Sequence, residues 1–190
     1  WAKYKHLVPP YETFAKWCAA ITARDGIPYT YVQVGLPASD YARAFPGHML
    51  FNDISKLGLT HPHNRPYVTF DYTDPDFQKH MLATWQRLRQ DGMRGIKFDY
   101  PESSWRPEGG FEDIYATTAA AYRKSFELAR EGLGPDAFLD ERNLGVSDRP
   151  CLDVTAGVVD TQRNWSDSNK FMPGMITIGG LRWYKNRTVF

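Results

Sequence analysis

The chain has 190 residues, with 23 basic and 22 acidic side chains and a formal net charge of +1 at pH 7. This length allows one domain with a sizeable core, but it is shorter than the roughly 250 residues of a complete (β/α)8 barrel. The balanced charge argues against a nucleic-acid-binding protein, and no apolar run reaches the ~20 residues needed to span a bilayer. Two cysteines are too few for a disulfide framework, so the cellular compartment stays open between secreted, periplasmic and cytoplasmic.

The first third of the chain predicts a helix, a strand and a long loop. Apolar residues recur at helical spacing from Tyr11 to Arg24, and Asp25-Gly26 ends this helix. Residues 28–35 are rich in β-branched and aromatic side chains, which is typical of a strand, and Gln33 lies near its carboxyl end. Residues 36–66 are irregular, so we expect a loop over one end of the sheet.

The middle of the chain alternates strands with helices. A short strand at residues 67–71 precedes a helix that begins at Asp74-Pro75 and ends near Gln90. The next strand, residues 95–100, is apolar except for one charged pair. A further helix is expected from Phe111 to Arg130, with Ile114 and Tyr115 among its apolar positions.

Three more strands are expected at residues 137–142, at residues 156–163 and from Thr188 onward. Strands at such regular intervals, joined by helices, predict an α/β fold of the (β/α)8 TIM-barrel type. We expect residues 1–190 to form one catalytic-barrel domain or a fragment of it, completed by remaining barrel segments of a parent chain.

The charged pair in the strand at residues 95–100 is the first candidate for chemistry. Lys97 and Asp99 alternate with Ile96 and Phe98, so they share one face of the strand. Buried charges are unfavourable unless paired, and a structural ion pair that fixes register is one interpretation. The functional interpretation is that Lys97 favours the carboxylate form of Asp99, which then attacks the anomeric carbon of a sugar.

A second carboxylate, Asp167, follows the strand at residues 156–163 in the segment RNWSD. It either caps the following helix or acts with Asp99. Glycoside hydrolysis needs such a pair, because one carboxyl group attacks the sugar while the other protonates the leaving oxygen. Asp160 is an alternative partner, but its place within the strand predicts a positioning role.

Other candidate sugar-binding residues are polar or aromatic and follow strand ends. The polar segment Asp140 to Asn143 either hydrogen-bonds sugar hydroxyls or forms a structural network, and the aromatic residues either stack on a sugar or cover the core. The predicted substrate-binding residues are Lys97, Arg163, Tyr100, Trp165, Glu141, Asn143, Trp105 and Gln33.

The pair His61 and His63 hints at a metal site, but it precedes a strand and no second histidine cluster follows it. We therefore expect neither a metal nor an organic cofactor.

Two segments resemble the melibiase-type retaining α-glycosidases, the clan of α-galactosidases and α-N-acetylgalactosaminidases with a (β/α)8 catalytic barrel. They are FDYTDPDFQKHMLATWQRLRQDGMRGIKFDY, residues 70–100, and RNWSD, residues 163–167. The resemblance implies that Asp99 is the nucleophile and Asp167 the general acid/base. It also implies that Lys97 and Arg163 contact the sugar.

The resemblance predicts an α-galactosidase-like enzyme that acts on an oligosaccharide or glycoconjugate by double displacement. Two alternatives stay open, a raffinose-synthase-like transglycosidase and a non-catalytic carbohydrate-binding barrel. Neither a nucleic acid nor a membrane is expected as a partner.

Overall fold

The computed structural model describes residues 8–32, 44–50, 69–99, 101–105, 110–142, 152–162 and 188–189. In chain order its helices and strands are α1 (Phe14–Thr22), β1 (Tyr29–Val32), β2 (Met49–Leu50), β3 (Thr69–Phe70), α2 (Pro75–Gln90), β4 (Gly95–Phe98), α3 (Thr118–Leu133), β5 (Phe138–Glu141), β6 (Thr161–Gln162) and β7 (Thr188–Val189). None of these helices is long and apolar enough to cross a membrane.

A parallel sheet of five strands organises the fold, in the order β1-β4-β5-β6-β7. Lys97 of β4 lies in register with Tyr31 of β1 on one side and Asp140 of β5 on the other. Neighbouring strands are parallel throughout, and α2 and α3 lie in the connections between strands. The architecture is that of part of an α/β barrel, as the sequence predicts.

One face of the sheet packs on the helices and forms the core. Ile96, Phe98 and Leu139 are fully buried. The Phe98 ring lies 6.0 Å from the Trp85 ring of α2 and 4.6 Å from the Phe126 ring of α3, measured between centroids. Burying a large apolar side chain of this kind contributes about 1.5–3 kcal/mol. The opposite face of β4 therefore carries Lys97 and Asp99, as their alternation with the apolar residues predicts.

Helix α2 begins where the sequence predicts. Asp74 Oδ1 accepts hydrogen bonds from the backbone N–H groups of Asp76 (2.8 Å) and Phe77 (3.0 Å), and Pro75 occupies the first turn. An N-cap carboxylate satisfies donors that have no partner inside the helix. The chain leaves α2 through Gly92, whose φ of +103° favours glycine.

Strand β3 forms within the predicted strand at residues 67–71, but it does not join the parallel sheet. It pairs antiparallel with β2, which lies in the region expected to be a loop. The Phe70 ring stacks on Phe77 at 4.6 Å, and the backbone N–H of Asp71 donates to the carbonyl of His48. Strands β2 and β3 thus form a separate two-stranded ribbon, which packs on α2 through Phe70.

The helix expected from Phe111 begins only at Thr118, so that prediction is wrong for its first turns. The Asp113 carboxylate accepts from the backbone N–H of Tyr115 (2.9 Å), which holds the chain in a turn. Thr117 then caps α3 by accepting from the N–H of Ala120 (3.1 Å). Ile114 and Tyr115 are 81% and 88% exposed instead of facing the core.

The strand expected at residues 156–163 is also shorter than predicted. Residues Leu152–Thr155 form a 3-10 turn, Gly157 has a φ of +79°, and among the described residues 156–162 only Thr161–Gln162 pair with the sheet. Strand β7 at Thr188–Val189 agrees with the predicted strand start at Thr188.

Candidate active site

Strands β4 and β5 bring four charged residues together on the sheet face opposite the helices. Lys97 lies in register with Asp140, and Asp99 and Arg142 each follow one residue beyond their strands. We call these four residues the charge square. Residues two apart on a strand share a face, so opposite charges are neighbours both along and across the strands. The carboxyl ends of parallel strands are where barrel enzymes build their sites.

Asp99 contacts Arg142 rather than Lys97. Arg142 Nε lies 3.1 Å from Asp99 Oδ1, and the two side chains are only 13% and 18% exposed. Among the described residues no ion pair joins Lys97 to Asp99. The cation in contact with Asp99 is thus the Arg142 guanidinium from the next strand, and a role of Lys97 toward this carboxylate stays a prediction.

The Asp140 carboxylate is engaged by neutral donors. The Tyr29 hydroxyl donates to Oδ2 and the Thr161 hydroxyl donates to Oδ1, each at 2.9 Å. Burial raises the pKa of Tyr29, and the neighbouring Asp140 raises it further, so the phenol keeps the proton that it donates. Asp140 thus fixes β1, β5 and β6 to one another below Asp99.

Glu141 points away from the charge square, toward α3. It is fully buried, and its carboxylate accepts from the Tyr122 hydroxyl (2.6 Å), from Gln162 Nε2 (2.8 Å) and from the Thr155 hydroxyl. Buried carboxylates persist where such donors surround them. This placement favours the structural-network interpretation of Glu141 over the predicted sugar contact.

Trp105 lies at the edge of the hydrophobic core, on the same side of the sheet as Glu141. Its ring packs edge-on against Tyr122, 5.7 Å between centroids, and it is partly buried beside the hydrophobic cluster. Its position favours covering the core over stacking on a sugar.

Asp160 lies just before β6 and not within a strand as the sequence predicts, and a positioning role toward the site stays a prediction. It accepts from Arg130 Nη2 (2.7 Å) and from the backbone N–H of Leu139 (2.9 Å) at the amino end of the sheet. That end of a barrel contributes stability rather than catalysis.

Several predicted residues lie outside the described part of the chain, and their roles stay predictions. They are Gln33, Tyr100, Asn143, Arg163, Trp165, Asp167, His61 and His63. Within the described ranges, no group of three or more His, Cys, Asp or Glu side chains could hold a metal ion.

Two loops at the carboxyl ends of strands are joined by contacts that the sequence does not reveal. Asp71, 4% exposed, accepts from the backbone N–H of Glu112 (2.7 Å), and the Thr73 hydroxyl accepts from the N–H of Asp113 (3.2 Å). Because both donors are backbone groups, no side-chain motif marks this contact. The loop after β3 and the loop after β4 are therefore one connected rim.

The Arg142–Asp99 contact has a signal in the sequence. Both residues directly follow strands, and parallel pairing of GIKF with FLDE places them side by side. The register between the two strands decides this contact, and neither strand length nor hydrophobic periodicity predicts that register.

Comparison with solved structures shows the same barrel fold in other proteins. TtGalA, the α-galactosidase from Thermus thermophilus in complex with p-nitrophenyl α-D-galactopyranoside, is similar with a TM-score of 0.59 and 18% identity, over 81% of this chain and 30% of that one. The fold is part of an α/β barrel. An α-amylase from Lactobacillus plantarum has a TM-score of 0.56 and 14% identity, over 93% of this chain and 39% of the amylase. The glycoside hydrolase domain of PelA from Pseudomonas aeruginosa has a TM-score of 0.52 and 16% identity, over 80% of this chain and 55% of that domain.

The chain thus spans between about a third and about half of the length of these structures. No family model and no curated protein matches the sequence. The likeness therefore concerns the fold, and the chemistry must be argued from the residues.

Proposed function

We propose that this chain carries the nucleophile of a retaining α-glycosidase that acts on neutral α-galactoside-like sugars. The supporting observation is the setting of Asp99, a mostly buried carboxylate at the carboxyl end of β4, which pairs with a strand on each side. Its Oδ1 lies 3.1 Å from Arg142 Nε in an ion pair without hydrogen-bond geometry, and its other oxygen has no hydrogen-bond partner among the described residues. An oxygen left available in this way is what attack on an anomeric carbon requires.

The reaction would proceed by double displacement. Asp99 attacks the anomeric carbon while the bond to the leaving oxygen breaks and Asp167 protonates that oxygen. Asp167 then takes a proton from water, the water oxygen bonds to the anomeric carbon, and Asp99 is released as a carboxylate. Lys97 lies on the same sheet face and would hydrogen-bond a sugar hydroxyl, together with Arg163, Tyr100, Trp165, Asn143 and Gln33.

The charge square supports a neutral substrate. Its two cations and two anions cancel, so the described part of the site has no net charge to attract a charged ligand. The preference for galactose rests on the sequence resemblance and on the likeness to an α-galactosidase fold.

The proposal is tested with Asp99→Asn and Asp167→Ala in the native full-length protein. Asp99→Asn should lower turnover of aryl α-galactosides by about 10³-fold or more, because the amide cannot form the covalent intermediate. Asp167→Ala should lose activity on oligosaccharides but keep activity on dinitrophenyl galactosides, whose leaving group needs no proton.

The matched control is Asp76→Asn, which neutralises an exposed carboxylate in the first turn of α2 and should leave turnover unchanged. An Asp99→Asn protein with full activity contradicts the mechanism. Transfer of the sugar to an excess acceptor, in place of water, indicates a transglycosidase. Sugar binding without turnover by the unmodified protein indicates a carbohydrate-binding barrel.

A further inference from the structure

We infer that Arg142 is a positioning residue for Asp99. Its guanidinium holds the Asp99 carboxylate during attack on the sugar and assists the release of that carboxylate from the glycosyl-enzyme. The inference rests on the proposed function, since it assigns a role toward the same nucleophile. It adds a residue that the sequence grouped only with the sugar-contact candidates of the β5 strand end.

The backbones of both residues are fixed by the sheet. The N–H of Asp99 donates to the carbonyl of Val32 (2.8 Å), and the N–H of Arg142 donates to the carbonyl of Phe98 (3.0 Å). The parallel ladder therefore continues one residue beyond each strand. Two side chains that leave adjacent fixed points lose little further conformational freedom when they pair.

The contact reaches a single carboxylate oxygen. Arg142 Nε lies 3.1 Å from Oδ1, and both side chains are largely shielded from water, so the attraction is screened less than on the surface. This ion pair at one oxygen restricts the rotation of the carboxylate and leaves the second oxygen for the sugar. Displacement of a reacting group by about 1 Å is enough to slow a reaction by about 10²-fold.

The charge of Asp99 changes during the reaction, and this separates the two steps. When Asp99 bonds to the anomeric carbon its negative charge disappears, and so does its attraction to the Arg142 guanidinium. When water attacks, the bond between the anomeric carbon and Asp99 breaks, its electron pair returns to the carboxylate, and the water proton passes to Asp167. A cation beside Asp99 stabilises the negative charge that returns to it in the transition state and thus favours this second step.

The test is steady-state and rapid-mixing kinetics of Arg142→Met on 2,4-dinitrophenyl α-D-galactopyranoside, with the native full-length protein. With this activated leaving group, kcat reports release of the glycosyl-enzyme and kcat/KM reports its formation. We expect kcat to fall by about 10²-fold, kcat/KM to fall less, and a burst of dinitrophenol to appear. Arg142→Lys should recover part of kcat because it restores the charge without the planar guanidinium.

The matched control is Arg130→Lys, which alters a second mostly buried arginine–carboxylate pair of the described residues, at the opposite end of the sheet. It should leave the ratio of kcat to kcat/KM unchanged even if it lowers the melting temperature. If Arg142→Met fails to fold, Arg142→Lys carries the test through the same ratio.

The outcomes separate the two hypotheses. If the unmodified protein turns over the substrate and Asp99→Asn does not, but the Arg142 variants keep the native ratio and show no burst, the inference on Arg142 is wrong and the proposed function stands. If Asp99→Asn is as active as the unmodified protein, the proposed function itself is wrong.

Discussion

At the scale of single residues, the face of a strand decides what each carboxylate does. Asp140 and Glu141 are neighbours in the chain, yet Asp140 joins the charge square while Glu141 is buried against Tyr122 of α3. Asp99, one strand away, is the carboxylate that contacts Arg142. Of these two adjacent acidic residues, Glu141 therefore has a structural role, while Asp140 lies on the sheet face of the candidate site.

Replacing Glu141 tests this division. Glu141→Gln puts an amide among three hydrogen-bond donors, so one donor loses its acceptor. We expect the free energy of unfolding in urea to fall by about 1–3 kcal/mol, while KM for the aryl galactoside stays unchanged. Glu131→Gln, on the exposed side of α3, is the control and should change neither. A raised KM at native stability would instead show that Glu141 contacts the sugar.

Residue roles were predictable where polarity alternates. In GIKFDY the apolar Ile96 and Phe98 show which face is buried, so the sequence places Lys97 and Asp99 together correctly. In the segment Asp140 to Asn143 four polar residues follow one another, and polarity no longer distinguishes the two faces. The pairing of Asp99 with Arg142 depends on strand register, which only the folded chain determines.

At the scale of elements, one guanidinium joins α3 to two strands. Arg130 Nη1 donates to the carbonyl of Ala137 (2.6 Å), Nε donates to the carbonyl of Val158 (3.1 Å), and Nη2 contacts Asp160. These acceptors lie just before β5 and β6. Arg130 thus holds the amino ends of both strands against the helix.

Removing Arg130 should destabilise the fold without affecting the site. Arg130→Met leaves the Asp160 carboxylate, 7% exposed, without its cation, and we expect a loss of about 3–5 kcal/mol in urea unfolding. The control, Arg87→Met, removes an exposed ion pair with Asp91 and should change stability by less than about 1 kcal/mol. Equal effects of the two substitutions would contradict the structural role of Arg130.

Element boundaries were predictable only where a cap is explicit. Asp74-Pro75 marks the start of α2 in the sequence, and the helix begins there. At α3 the apolar Ile114 and Tyr115 suggested an earlier start, but the Asp113 turn competes with the helix and leaves both side chains exposed. Hydrophobic spacing alone does not distinguish these cases.

At the scale of the whole molecule, the barrel class was predictable and its strand pairing was not. Regular alternation of strands and helices predicts a parallel α/β sheet, which the structure has. The strand predicted at residues 67–71 fits that alternation of strands and helices. Its residues Thr69–Phe70 nevertheless pair antiparallel with β2 in a separate ribbon. Within the described residues β1 and β7 are edge strands, and we propose that further barrel segments pair with β1.

Near-zero net charge should make association of the chain depend on pH. With an isoelectric point of about 7.9, electrostatic repulsion between copies is weakest near pH 8. We expect light scattering of the 190-residue chain to be greatest there and to fall at pH 6 and pH 10. Lys79→Glu, an exposed change on α2, takes the formal charge from +1 to −1 and should move the maximum below pH 7. Scattering that is independent of pH would contradict an electrostatic origin.

The rim formed by Asp71 and Glu112 has a consequence for how sequences of this fold diverge. Position 112 contributes only its backbone N–H, so any residue except proline can occupy it and keep the hydrogen bond. Position 71 contributes a buried carboxylate and tolerates few replacements. The sequence at position 112 can therefore vary during evolution while position 71 stays constrained. A substitution scan should find that Glu112 tolerates most replacements and Asp71 tolerates few, although the two residues share one hydrogen bond.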